Sequence, residues 1–398
     1  MNMDLSPKMM ELGKKSSVIR EIFEYSKKRK AEIGAENVFD FSIGNPSVAA
    51  PEKINATMQK LLAEMDPVLL HGYTAAVGDP AVRQKIADNL NAEFDIGARP
   101  ELIYMTCGAA ASLTISLAAV TNPGDEVIVF SPFFPEYRVF VEHAGAKLVI
   151  VPCKKEDFQL DFEALEKSIN PHTKAVIINS PNNPTGVIIP AGDLERLAKI
   201  LSKKQEEYGH ALYLIADEPY RKLVWTEEAV PYATKFYDNT LVCYSFSKAV
   251  SLPGERIGYI LVSPTMKNAV DVYAAVCGAG RALGFVCAPS LLQFTVAECL
   301  EETSDFTIYR KNRDLLLKEL TRIGYEVVSP DGAFYLFLKA LEPDANAFYE
   351  QGKKHELLLV PSDSFGCPGY VRIAYCVTTE QIERAIPAFE KLYEDYQK

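Results

Sequence analysis

The sequence has no long apolar run. Its longest, around Leu212 to Ala216 and Glu126 to Phe130, fall far short of the roughly 20 residues that cross a bilayer and read as buried strands. It has no CxxC pair and no histidine at zinc-ligand spacing. Its eight cysteines therefore look like reduced core residues, and neither a metal site nor a disulfide frame is expected. It has no basic block: the formal net charge is −11 with acids and bases mixed, which excludes nucleic acid and anionic membrane as expected partners. The start, Met1-Asn2-Met3-Asp4 followed by Lys14, Lys15 and Arg20, lacks the apolar stretch and cleavage site of a signal peptide, which points to the cytoplasm. No internal repeat, low-complexity tract or linker marks off an independent module.

What is present is a chain of 398 residues, 48% hydrophobic and 24% charged, suited to burying a large core divided between a large and a small domain. From about residue 100 to 262, short apolar runs alternate with helical patterns, as in a mostly parallel α/β sheet covered by helices on both faces. The candidate strands are Glu126 to Phe130, Leu148 to Val151, Ala175 to Asn179, Tyr213 to Ala216, Leu241 to Ser245 and Ile257 to Val262. Amphipathic stretches at Phe133 to Ala144, Asp161 to Ile169 and Ala191 to Tyr208 are candidate crossover helices, the last framed by Pro190 and Gly209. From about Ala288 the texture changes to charged helices, Asp305 to Ile323 and Thr379 to Tyr396, with short strands at Tyr325 to Val328 and Phe334 to Leu338, which suggests a smaller α+β domain. A basic helix, Ser16 to Arg29, precedes the turn-rich Ile43 to Ser47. The expected division is residues 1–50 as an arm and part of the small domain, 51–287 as the large domain, and 288–398 as the small C-terminal domain.

Three segments carry chemistry. Leu241 to Ile257 reads LVCYSFSKAVSLPGERI, an apolar strand followed by Lys248 and, eight positions on, Arg256. A lone lysine is ordinarily a solvated surface charge, but one just beyond a buried strand sits at the carboxyl edge of the sheet, where open α/β folds bind ligands. Ala211 to Tyr220 reads ALYLIADEPY, a strand ending in Asp217 and Tyr220, although a terminal Asp most often merely caps a helix. Ser180 to Gly186 reads SPNNPTG after another strand, where Pro and Asn alone mark only a loop. The run Gly278 to Gly284 mimics a dinucleotide fingerprint, but its spacing is off and it follows a helical stretch, so a nicotinamide site is rejected.

In this order and spacing, NPTG at Asn183 to Gly186, Asp217-x-x-Tyr220, Ser245-x-x-Lys248 with Arg256, and the Arg372 of YVRIAY resemble the class I and II aminotransferases of fold type I, the aspartate aminotransferase family, over nearly the whole chain. The resemblance implies pyridoxal 5′-phosphate as cofactor, held by Lys248 as a Schiff base, with the lysine serving as nucleophile and proton shuttle. It implies that Asp217 faces the pyridine nitrogen, and that Asn183 and Tyr220 hydrogen-bond the phenolic oxygen. Phe134, in SPFFPEY, would stack on the ring where many relatives place a tryptophan.

The same resemblance implies a phosphate cup of Gly108, Ala109 and Ala110 at a helix start, completed by Ser245 and Arg256 and by Tyr73 from the partner of a homodimer. Arg372 would grip the substrate α-carboxylate beside Gly44. Relatives specific for dicarboxylic substrates add a further cation. In one subgroup it is a lysine where this chain has Ala110, and in another an arginine from the partner, a place Arg281 could fill, weighed evenly against a role in capping its helix. The expected reaction is ping-pong transfer of an amino group from an L-amino acid to a 2-oxo acid. A C–S β-lyase on the same scaffold is the alternative. A non-enzymatic sensor is a remote one, given about 40 residues before Gly44 and an acidic balance.

Overall fold

The computed structural model describes residues 5–14, 17–227 and 229–398, so the Ser16 start expected for the first basic helix lies outside the described residues. The chain divides into two compact units, residues 1–45, 307–329 and 334–398 in one and residues 46–306 and 330–333 in the other.

The larger unit is built on a seven-stranded sheet in the spatial order Ile103–Thr106, Gly258–Val262, Thr240–Ser245, Tyr213–Asp217, Thr173–Asn179, Glu126–Ser131, Lys147–Pro152. Gly258–Val262 alone runs antiparallel to both its neighbours. The remaining pairs are parallel, as the apolar runs predicted. Alternate residues feed two cores. Ile128, Val176, Leu214 and Val242 enter one, and Val127, Ala175, Ile215 and Leu241 the other. Helices Pro80–Phe94, Phe162–Ser168, Ala191–Tyr208 and Ser290–Ala297 close the first face. Helices Ala109–Val120, Glu136–His143 and Ala269–Leu283 close the second. Gly209, at φ 70°, ends the long crossover helix in the left-handed conformation that glycine adopts without strain.

The domain boundary differs from the expectation. Residues 288–306 join the larger unit, because Leu292, Val296, Ala297 and Cys299 complete a core with Ile54, Val82 and Ile86. The charged texture that marks the small domain begins only with the helix Thr307–Ile323. The fingerprint-like Gly278–Gly284 run lies in the last turns of helix Ala269–Leu283, and Gly280 is there because a Cβ would strike the Tyr104 hydroxyl.

The smaller unit has an antiparallel sheet in the order Val360–Pro361, Tyr370–Ala374, Tyr335–Lys339, Val327–Val328. A parallel pair, Phe39–Asp40 with Leu357–Leu358, brings the N-terminal segment into the same unit as the C-terminal one. Among the described residues no helix is long and apolar enough to cross a membrane.

Candidate active site

Of the predicted cofactor residues in the larger unit, Phe134, Asn183, Asp217, Tyr220, Ser245 and Lys248 end or follow parallel strands at their carboxyl ends. Asn179 pairs with Asp217, and Asp217 with Cys243, so three strands finish side by side. Asp217 is the last residue of its strand and is buried. Its Oδ2 accepts a 2.5 Å hydrogen bond from the Tyr137 hydroxyl, while Oδ1 is buried with no partner among the described residues. Burial pushes the carboxyl up to about 7, the Tyr137 hydrogen bond opposes that rise, and the neighbouring Glu218 adds to it. An inaccessible acceptor with an open lone pair suits a protonated ring nitrogen placed against it.

Ser245 ends the next strand and caps the short helix Phe246–Ala249 by accepting from the Ser247 N–H at 3.2 Å. Lys248 lies on that helix and is half-buried. The strand end and the helix start together fix the backbone that carries the lysine within three residues of the sheet edge.

The third component is the start of helix Ala109–Val120, whose N-cap is Gly108 at φ 87°. A Cβ there would lie 2.7 Å from Arg256 Nη2, so the guanidinium sits directly against this glycine. Gly258, on the neighbouring strand, would carry its Cβ within 3.1 Å of Gly108 Cα and 3.2 Å of Ser245 Cα, which shows how tightly three backbones converge. Helix N–H groups, an exposed arginine and a serine in this arrangement could hold a dianion, and a larger residue at 108 would press on the guanidinium. Together with the open Asp217 oxygen, these groups fit a phosphorylated pyridine.

Asn183 and Tyr220 are buried, and each follows its strand within four residues. Phe134 is half-buried and meets Tyr137 edge-on, with ring centroids 5.7 Å apart. Ala109 and Ala110 occupy the first helical turn as expected.

The remaining residues lie elsewhere. In the smaller unit Arg372 is almost wholly buried, and its Nη2 donates to the Ser42 carbonyl at 2.6 Å. Its guanidinium lies over the Tyr335 ring at 4.5 Å and the Phe365 ring at 5.3 Å. Gly44 belongs to this cluster because a Cβ would collide with the Tyr335 hydroxyl. In the larger unit Tyr73 is 98% exposed, and Arg281 is exposed in the last turn of its helix. Among the described residues no group of acids, cysteines and histidines could hold a metal.

Sequence reasoning missed two residues of the site. Tyr137 has no motif of its own beyond its place three positions after Phe134. Asn179 was read only as the end of a strand, yet its Oδ1 accepts from the Asn183 N–H at 2.7 Å and its Nδ2 donates to the Asp217 carbonyl at 2.8 Å.

The chain is similar to known proteins along nearly its whole length. The family model "Aminotransferase class I and II" matches residues 36–389. An amino transferase structure from Eubacterium rectale is similar at 54% identity and a TM-score of 0.98, over 100% of both chains. The aspartate aminotransferase of Thermotoga maritima is 29% identical, covering 94% of this chain and 96% of its own. The aspartate/prephenate aminotransferase of Thermus thermophilus is 31% identical, covering 88% and 89%.

Proposed function

The chain belongs to the class I and II aminotransferase family, and from that premise we propose how its residues divide the work of amino-group transfer. It is a pyridoxal-phosphate-dependent aminotransferase acting on small molecules, moving an amino group between an L-amino acid and a 2-oxo acid by a ping-pong path. When bound, pyridoxal phosphate supplies an aldehyde that captures amines and a ring that accepts the electron pair left when the α-proton departs.

Lys248 would provide the amine that holds the cofactor and would take up and return the substrate α-proton. Asp217, through its open Oδ1, would hold a protonated ring nitrogen. Asn183 and Tyr220 steady the phenolic oxygen, and Phe134 covers the ring face. Gly108, Ala109, Ala110, Ser245 and Arg256 hold the phosphate. Arg372, with its orientation fixed by Ser42 and two rings, binds the substrate α-carboxylate near Gly44, where the missing side chain leaves room.

The working form is a homodimer in which Tyr73 reaches the partner's phosphate. The support is a surface: helix Pro67–His71, capped by Asp66, holds Val68 79% and Leu69 66% exposed next to Tyr73. Arg281 supplies a cation from the partner for a dicarboxylic substrate, a reading that rests on its exposure and on the aspartate named in two relatives. No disulfide joins the cysteines among the described residues, in keeping with a cytoplasmic setting.

The single observation that carries the assignment of the site is the Asp217 carboxylate, buried, tied by one oxygen and open at the other. The test is a half-reaction. Holoenzyme mixed with an amino acid and no acceptor should lose the visible absorbance of its lysine-bound cofactor and release one equivalent of 2-oxo acid per site. Repeated turnover of cystathionine to pyruvate without an acceptor would identify a lyase instead.

A further inference from the structure

Asp217 does not stand alone at its strand end. Tyr137, in the first turns of helix Glu136–His143, is 2% exposed, and its hydroxyl donates to Asp217 Oδ2 at 2.5 Å. Phe134, the candidate for the ring face, begins the same turn and packs edge-on against Tyr137. One short segment thus carries both the ring that would cover the cofactor and the donor that grips the carboxylate behind it. A buried carboxylate bound through one oxygen has a fixed rotamer, so the direction of its other oxygen is fixed as well.

The titratable groups around Asp217 come from three elements. Glu218 follows it just past the strand end, with Tyr220 two residues on; Cys243 is its register partner on the adjoining strand; Tyr137 reaches it from the helix. Glu218 is matched by Arg221, with which it forms a buried ion pair.

We propose that Tyr137 is a positioning residue of the active site, holding Asp217 in the orientation and the ionised form that the cofactor's ring nitrogen requires. This rests on the aminotransferase reading given above. Burial alone would leave Asp217 largely protonated near neutrality, and the Tyr137 hydrogen bond is the contribution that opposes it. The phenol keeps its own proton throughout, because burial and the facing carboxylate push its ionisation far up. Without the donor, the carboxyl takes back the proton that it should leave on the ring nitrogen, and removal of the substrate α-proton slows. Binding of the substrate carboxylate, which Arg372 governs, is untouched.

The experiment compares wild-type holoenzyme with Tyr137→Phe and Tyr137→His in the half-reaction, followed by absorbance as a function of pH and amino acid concentration. For Tyr137→Phe the saturating rate constant should fall about 10- to 100-fold, with half-saturation changed less than about threefold. Its acid limb should move to higher pH, and Tyr137→His, which keeps a donor, should recover part of both effects. A Tyr137→Phe enzyme with the wild-type rate and acid limb overturns the proposal. So does a loss that merely tracks lost cofactor content and is the same in Tyr137→His. A wild-type protein that takes up no pyridoxal phosphate overturns the underlying reading, and the proposal with it, whereas an active wild type beside an indifferent Tyr137→Phe overturns the proposal alone.

Discussion

The side chain of Asn179 ties Asn183 to the active-site edge, accepting the Asn183 N–H at 2.7 Å while its own amide donates to the Asp217 carbonyl at 2.8 Å. One carboxamide therefore sets the spacing between the loop carrying Asn183, proposed to bond the phenolic oxygen, and the strand end carrying Asp217, proposed to meet the ring nitrogen.

Replacing Asn179 with alanine removes both bonds and leaves a buried N–H and a buried carbonyl without these partners. The expected cost is about 1–3 kcal/mol of stability, read as a lowered melting temperature. The half-reaction should slow more than fluctuations in stability explain, because both cofactor contacts lose their common reference. A variant with normal stability and full rate would remove Asn179 from the site.

Asp217 makes a prediction for the protein stripped of cofactor. Its folded ionisation lies near 7, raised above the usual carboxylate range by burial. In this window the folded state binds more protons than the unfolded state, so stability is fullest at low pH and is lost as pH rises through about 7. Asp217→Asn apoprotein should therefore melt higher than wild-type apoprotein at alkaline pH, with the gap closing under acid conditions. The same variant reconstituted with pyridoxal phosphate should be nearly inactive. Calorimetry of the two apoproteins across pH checks the sign.

Gly108 supports a test of the proposed phosphate cradle. At φ 87°, with Arg256 Nη2 2.7 Å from where a Cβ would sit, alanine there meets backbone strain of about 1–2 kcal/mol and displaces the guanidinium. Gly108→Ala should weaken cofactor binding far more than it lowers the melting temperature of the apoprotein. Equilibrium dialysis against pyridoxal phosphate measures the first and calorimetry the second.

The Glu218–Arg221 pair is buried on both sides, and the guanidinium is stacked against Phe94, Tyr232 and Tyr244. Breaking it singly, as in Arg221→Met, should cost about 3–5 kcal/mol, since a buried carboxylate loses its counter-charge. Arg221→Met combined with Glu218→Gln should cost less than the sum of the two single changes, because each removes the charge the other strands. Chemical denaturation of the four proteins provides the cycle.

Much of this was legible in the sequence, and the limits have physical causes. The central strands announced themselves because both faces are buried, as in Tyr213–Asp217, and the lysine stood out because it follows such a strand. Ile103–Thr106 was missed as a strand: it is only four residues long and joins the far edge through an antiparallel neighbour. The helix Ser290–Ala297 was assigned to the small domain because charge texture does not reveal which core a helix completes. Tyr137 and Asn179 were invisible for a different reason. Their roles are contacts across 80 residues in one case and side-chain-to-backbone bonds in the other, and neither leaves a spacing rule. Arg221 has no motif to single it out, and its place shows only in the three rings around it.

The central claim is that Lys248 is the amine that holds the cofactor and moves the proton. The direct measurement is the absorbance and mass of purified Lys248→Ala after incubation with pyridoxal phosphate and borohydride reduction. The account predicts no visible lysine-bound band, no added mass on reduction, and a half-reaction slowed by several orders of magnitude, with the wild type labelled at the peptide containing Lys248. A Lys248→Ala protein that keeps the band and the reduced adduct would contradict it.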